Sequence, residues 1–158
     1  MKKRPGEHKF TLVDLVITIL VVGFLAIIIF FVLQPSKRFG ESRDGMRWTE
    51  VNALLSAIIK YQIAHDGELP VGLDDLPQTI QVIGTNSSGC DKGCGEIATE
   101  SACLDLSGLV GDYIVAIPQD PKTGTPGFTG YYINKDAQGK ITVGACNPEQ
   151  NNIITVTK

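Results

Sequence analysis

Hydrophobic positions follow two different patterns along the first third of the chain. From Leu15 to Leu33 the residues are apolar except for Thr18 and Gly23, so every face of a helix here would be hydrophobic. At about 1.5 Å per residue, this length is close to what the hydrocarbon core of a bilayer requires. The sequence therefore predicts one membrane-spanning helix near the N-terminus.

A second helical pattern follows Pro35, which lacks an N–H donor and is expected to kink or interrupt the helix. Apolar residues then recur at the spacing of an amphipathic helix: Val51, Leu54, Leu55, Ile58 and Ile59. Asp66 and Gly67, followed by Pro70, predict its end. The first helix is thus expected to continue, after a local break, as an amphipathic one.

Charged residues of both signs alternate at helical spacing between Lys37 and Glu50. This alternation predicts a solvated helix face. The alternative is that these charges pair between subunits of an assembly. Isolated surface pairs contribute only about 0–1 kcal/mol, which favours the solvated face. Trp48, the one tryptophan, is interpreted as a residue that packs against the globular part of the protein.

The pattern changes from helix to strand in the second half. Residues 71–102 are rich in Gly, Ser, Asn and Asp and predict a connecting loop, and Leu104–Val110 predicts a short helix. Three later segments are enriched in Tyr, Ile, Thr and Val and separated by turn residues: 130–134, 140–145 and 151–156. The predicted fold class is α+β, with a long N-terminal helix packed on a small C-terminal antiparallel sheet of three or four strands.

Basic residues precede the apolar span: Lys2, Lys3, Arg4 and Lys9. By the positive-inside rule they hold the N-terminus in the cytoplasm and send the rest of the chain outward, so we expect a single-pass protein of the inner (cytoplasmic) membrane. A cleaved secretory signal is the alternative, but its apolar region usually has about 7–15 residues and precedes a small-residue cleavage site. Residues 32–36 offer no such site.

All four cysteines lie in the part predicted to be exported: Cys90, Cys94, Cys103 and Cys146. Oxidising surroundings favour disulfides there. Of the three possible connectivities we favour a local Cys90–Cys94 loop with a long-range Cys103–Cys146 bridge. A zinc site is the alternative, although the sequence has one close pair only, with C-x3-C spacing.

Asp14 interrupts the start of the apolar run. A carboxylate in hydrocarbon costs about 2.5–3.5 kcal/mol on insertion scales, so it indicates a functional residue with a specific partner. If the chain were cut before Phe10, the new α-ammonium would lie four residues from Asp14, within reach on a helix. It could equally pair with Asp14 of a neighbouring copy.

The segment from Lys9 to Leu15 resembles the class III signal of type IV pilins and type II secretion pseudopilins. In that family a short basic leader is removed before a Phe, the Phe is N-methylated, and an acid at the fifth mature position guides subunit docking. The resemblance implies processing between Lys9 and Phe10, N-methylation of Phe10 and an assembly role for Asp14. Lys9 stands where the family usually has Gly, and Asp14 where it usually has Glu; a cut after Gly6 is the alternative.

The resemblance divides the chain into a basic leader (1–9), a transmembrane and assembly helix (10–33), its amphipathic continuation (34–66) and a disulfide-stapled globular part (67–158). It implies a structural filament subunit that polymerises with copies of itself. A prepilin peptidase and methylase, the membrane and an inner-membrane assembly platform would be its partners. The filament would be extracellular or periplasmic. The alternatives are a secretion pseudopilin, a minor tip pilin that binds DNA, a surface or a substrate, and an uncleaved membrane-anchored domain.

Catalytic motifs are not found in the sequence, so we expect neither an enzyme nor a cofactor. His65 stands beside Asp66, but adjacent helical side chains point about 100° apart. Asp105, Asp112 and Asp120 are weak calcium candidates, because pseudopilins carry calcium in a comparable loop. Without residues 1–9 the side chains comprise 10 basic and 16 acidic groups, a net charge of −6, which does not favour nucleic acid.

Overall fold

A computed structural model of the chain describes residues 10–32, 35–74, 76, 79–95, 100–150 and 152–158. It divides into two compact units, residues 1–38 and residues 39–158, and each is described by itself. The predicted leader, including Lys9, lies outside the described residues, as do residues 33–34 at the predicted break between the helices.

The first unit contains the apolar helix that the sequence predicts. Helix α1 spans Leu12–Val32, and the large apolar side chains that are described in it are exposed. The stretch Leu12–Phe30 has a mean hydropathy of 3.0 and is long enough to cross a membrane. α1 therefore has the length and composition of a membrane anchor, criteria that a signal sequence also meets.

Helix α2 spans Pro35–Ala64 and confirms the second predicted helix. Proline is well placed at a first helical position, because the N–H that it lacks would have no partner within the helix. The helix ends where Asp66 and Gly67 adopt left-handed conformations, with φ of 52° and 93°. The N–H of Gly67 donates to the carbonyl of Gln62 at 2.8 Å, closing the C-terminal turn.

Four strands form one antiparallel sheet in the order β1-β2-β3-β4. They are β1 (Gln81–Val82), β2 (Tyr131–Lys135), β3 (Ile141–Ala145) and β4 (Thr155–Thr157). The last three confirm the predicted strands to within a few residues. β1 lies in the segment predicted to be a loop. It forms because Gln81 and Val82 pair with β2, and the N–H of Ile83 donates to the carbonyl of Tyr131 at 2.8 Å.

The predicted short helix at Leu104–Val110 is wrong. Leu104 instead joins the outer side of β1: its N–H donates to the carbonyl of Val82 at 2.8 Å, and its carbonyl accepts from Gly84 at 3.0 Å. Only a 3-10 turn forms, at Ser107–Leu109. The N–H and carbonyl of Leu104 are bonded to the sheet edge and cannot also form the hydrogen bonds of a helix.

The core lies between α2 and one face of the sheet. Val51, Leu54 and Ile58 from α2 pack with Tyr131, Ile133 and Val143, and all six are fully buried. Val82 and Tyr132 point to the other face, where the cysteines and Phe128 cover them. The packing of helix on sheet confirms the α+β class.

The favoured disulfide pairing is wrong: the bonds join Cys90 to Cys103 and Cys94 to Cys146. The N–H of Cys90 donates to the carbonyl of Ser101, and the N–H of Cys103 donates to that of Asn86. These bonds lay the two segments side by side, so Cys90 faces Cys103 rather than Cys94. Sequence spacing carries no signal for this arrangement.

Peptide mapping without reduction should recover the two pairs found here. Removing the bridge with 52 residues of separation, by Cys94→Ser with Cys146→Ser, should cost about 4 kcal/mol of unfolding free energy in the entropic model. Removing the Cys90–Cys103 bridge, whose cysteines are 13 residues apart, by Cys90→Ser with Cys103→Ser should cost about 3 kcal/mol of unfolding free energy. Urea unfolding of both variants provides the comparison; a linked Cys90–Cys94 peptide would contradict the structure.

Candidate assembly segment and ion-pair cluster

Asp14 has a specific partner within its own helix. The N–H of Thr11 donates to Asp14 Oδ2 at 3.0 Å, and the Thr11 hydroxyl donates to the same oxygen at 2.8 Å. The N–H of Asp14 in turn donates to Thr11 Oγ1 at 3.3 Å. This reciprocal arrangement is a capping box, and it directs the carboxylate toward the start of α1.

Thr11 is a site residue that the sequence reasoning missed. Its signal was present, because Thr followed three residues later by an acid marks a helix N-terminus. Phe10 precedes the helix and is 83% exposed. The predicted residues Phe10 and Asp14 thus lie on either side of Thr11. The bonds from Thr11 hold the Asp14 carboxylate at the N-terminal end of α1, the end at which Phe10 lies.

Between residues 42 and 59, α2 carries its charges inward and its uncharged residues outward. Between residues 42 and 59 the exposed residues are all uncharged: Ser42, Gly45, Met46, Trp48, Thr49, Asn52, Ala53 and Ser56. Asp44 and Arg47 are buried, and Arg43 and Glu50 are half-buried. The predicted solvated face is therefore confirmed for Lys37, Arg38 and Glu41, which are exposed, and wrong for the charged residues from Arg43 to Glu50. Trp48, interpreted as a packing residue, is 40% exposed, so that interpretation is wrong.

Arg47 is the centre of a buried ion-pair cluster and is fully enclosed. Its Nε and Nη2 donate to the two carboxylate oxygens of Asp120 at 2.6 and 3.2 Å, a bidentate pair. Its Nη1 donates to Asp44 Oδ1 at 2.7 Å. Asp120 also accepts the N–H groups of Lys122 and Thr123, both at 2.9 Å, so a side chain of α2 fixes the turn before β2.

The loop between β3 and β4 docks on the same part of α2. Asp44 accepts the N–H groups of Glu149 and Gln150 at 3.0 and 3.1 Å. Arg43 donates from Nε and Nη2 to the Glu149 carboxylate at 2.9 and 2.5 Å. Gly40 lies against this loop, where a Cβ would meet the end of the Gln150 side chain. Arg47 thereby lies between two loops and its own helix.

Electrostatics keeps the acids of the cluster ionised. Burial raises the pKa of the Asp44 and Asp120 carboxyls, but their hydrogen bonds from Arg47 and backbone amides outweigh it and hold each pKa below its usual value. Hydrogen bonding to Arg43 lowers the pKa of Glu149 to about 2. At neutral pH the cluster therefore consists of charged, mutually paired groups.

Glu50 lies beside this cluster in a different environment. Burial raises the pKa of its carboxyl, against the effect of a hydrogen bond from the Tyr131 hydroxyl. Burial and the same bond raise the pKa of Tyr131. This contact ties α2 to β2 next to the Arg47 pairs.

The three calcium candidates do not form one site. Asp105 Oδ1 accepts the N–H of Ser107 at 2.8 Å, Asp112 is exposed, and Asp120 is paired with Arg47. Within the described ranges, no three His, Cys, Asp or Glu side chains are grouped as metal ligands would be. His65 stacks on Tyr61 with ring centroids 3.9 Å apart.

Comparison with known proteins identifies no relative of this chain. No family model, no curated protein and no solved structure shows significant similarity to it.

Replacing the buried arginine should be severely destabilising. Arg47→Met would leave Asp44 and Asp120 without their cation, and breaking a buried pair in this way costs about 3–5 kcal/mol. Arg43→Gln is the matched control, since the Arg43 side chain is 30% exposed and its loss should cost less. Urea unfolding of the full chain in a neutral detergent measures both. Equal stability of Arg47→Met and the unaltered protein would contradict the central role of this residue.

Proposed function

We propose that this chain is a structural subunit of a type IV pilus-like filament. It is inserted as a single-pass precursor, cleaved before Phe10, N-methylated there and polymerised through α1. The observation that carries the proposal is the placement of Asp14: one carboxylate at the start of an otherwise uncharged, apolar helix, held by Thr11 on the side of Phe10.

The apolar surface of α1 supports polymerisation. Its large side chains are exposed, and they would contact lipid in the precursor and neighbouring α1 helices in the filament. Both surroundings are apolar, so the exchange adds little hydrophobic cost to leaving the bilayer. Asp14 would pair with the α-ammonium of a neighbouring Phe10, which removes an isolated charge from the interface and sets the axial register.

The outward face of α2 also supports assembly. Burying its stretch between residues 42 and 59 against another copy would leave no unpaired charge, because the ionised residues of this stretch point inward. Thr49 Oγ1 already donates to the carbonyl of Gly45 at 3.2 Å, and Asn52 Nδ2 donates to that of Trp48 at 2.7 Å. These groups keep their hydrogen bonds when water is excluded, which lowers the cost of forming an interface.

Head-to-tail contacts that do not close on themselves give filaments rather than rings. α1 and the outward face of α2 are two separate surfaces available to neighbouring copies. This function requires no catalytic group and no cofactor in the chain.

Intact mass and N-terminal sequencing test the processing step, with the chain expressed together with a prepilin peptidase. The expected product begins with N-methylated Phe10. Asp14→Ala should be cleaved but fail to form filaments, because the ammonium loses its partner, whereas Asp14→Glu should assemble. A chain that keeps its Lys9–Phe10 bond would overturn the proposal in favour of a permanent anchor.

A charge on the outward face of α2 should block assembly without unfolding the subunit. Thr49→Lys would bury an unpaired ammonium between copies, so the yield of filaments should fall at least tenfold. Gln138→Lys adds the same charge at an exposed position in the turn between β2 and β3 and serves as the control. Electron microscopy counts filaments, and non-reducing peptide maps check the fold. Normal filaments from Thr49→Lys would exclude this face from the interface.

A further inference from the structure

Two cavities adjoin each other on the second unit. The larger, of about 270 Å³, is lined mainly by apolar residues that include Ile83, Val110 and Ile117. The smaller, of about 180 Å³, is lined by Tyr61, Val71 and their neighbours. Asp105 and Leu106 line both cavities and form the ridge between them.

The ridge has a fixed shape before anything binds. Leu106 and Leu109 are 2% and 1% exposed and anchor it to the core. Asp105 Oδ1 accepts the N–H of Ser107, and the carbonyl of Ser107 accepts the N–H of Val110 at 3.0 Å. A site that needs no ordering of its own loses little entropy when a ligand binds.

Acidic side chains are exposed on the ridge and close to it in the sequence. Asp105 is exposed, and no side-chain cation of the described ranges is paired with it. Asp112, also exposed, follows Val110 by two residues and precedes Tyr113, whose ring contacts that of Tyr61. An exposed carboxylate between two cavities, without a paired cation, favours a cation at that point.

We propose that this surface binds a peptide segment of a partner protein in which a Lys or Arg lies between two apolar side chains. Each cavity is below the roughly 300–1,000 Å³ of a small-molecule pocket and suits one side chain. The carboxylate of Asp105 between them fits a cation whose aliphatic stem lies along the ridge. The proposal goes beyond filament formation and does not depend on it.

Methyl NMR of the full chain in discs of neutral lipid tests this, because Val110 and Val71 report on the larger and the smaller cavity separately. The probes are blocked peptides with Lys between two Leu, separated by no, one or two Gly on each side. At least one of them should shift both valines together, and its affinity should fall as salt is added. The same peptide with Glu in place of Lys should not bind.

Two variants locate the contacts. Asp105→Asn should weaken binding about two- to fivefold, as expected for an exposed ion pair, whereas Asp91→Asn, with the same change in net charge, should not. Ala116→Phe adds a ring to the lining of the larger cavity from an exposed position and should abolish the Val110 response.

Equal binding by the Lys and Glu peptides, or no joint response to any probe, would overturn the proposal. If the methyl signals of both valines shift when only the protein concentration is raised, a second copy occupies the surface, and the proposal is overturned.

Discussion

The second unit depends on one enclosed arginine. Arg47 has no exposed surface, and its guanidinium is paired with Asp44 on its own helix and Asp120 before β2. A buried cation is tolerated only when its donors and the surrounding acceptors are matched. That requirement fixes how far along α2 the sheet and its loops can lie, because a shift by one turn would separate Arg47 from Asp120. Apolar packing in the same core is less directional and does not set the register so strictly.

The cluster also explains the outward face of α2. A helix on a protein surface usually carries its charges toward solvent. Here Arg43, Asp44 and Arg47 face the loops, and Ser42, Thr49 and Ser56 face outward. Pairing the charges with the rest of the same unit leaves the exposed side neutral between residues 42 and 59, with the exposed charges of Glu41 and Lys60 at its two ends. The stability of the unit and the character of its surface are thus two results of one arrangement.

Elements with strong local patterns were predictable from the sequence. The apolar run gave α1, the i, i+3, i+4 spacing gave α2, and Tyr131–Lys135 and Ile141–Ala145 lie where strand-forming residues cluster. β1 and the disulfide pairs were not predictable, because both depend on backbone hydrogen bonds between segments distant in sequence, such as the bond between Leu104 and Val82. The buried state of Arg47 escaped prediction for the same reason: its partner Asp120 is 73 residues away. Of the candidate site, Phe10 and Asp14 followed from local sequence, whereas Thr11 went unnoticed.

The disulfides have a further consequence for how the two ends of the chain are connected. Both bonds join residues between Cys90 and Cys146, so neither includes α2. A protease cut between Cys94 and Cys146 would leave the fragments covalently linked. A single cut between Ala64 and Gln81 would leave the sheet attached to α2 by noncovalent contacts alone, the Arg47 pairs among them. Residues 65–80 are therefore the one stretch of backbone through which tension on the helices reaches the sheet along a covalent path.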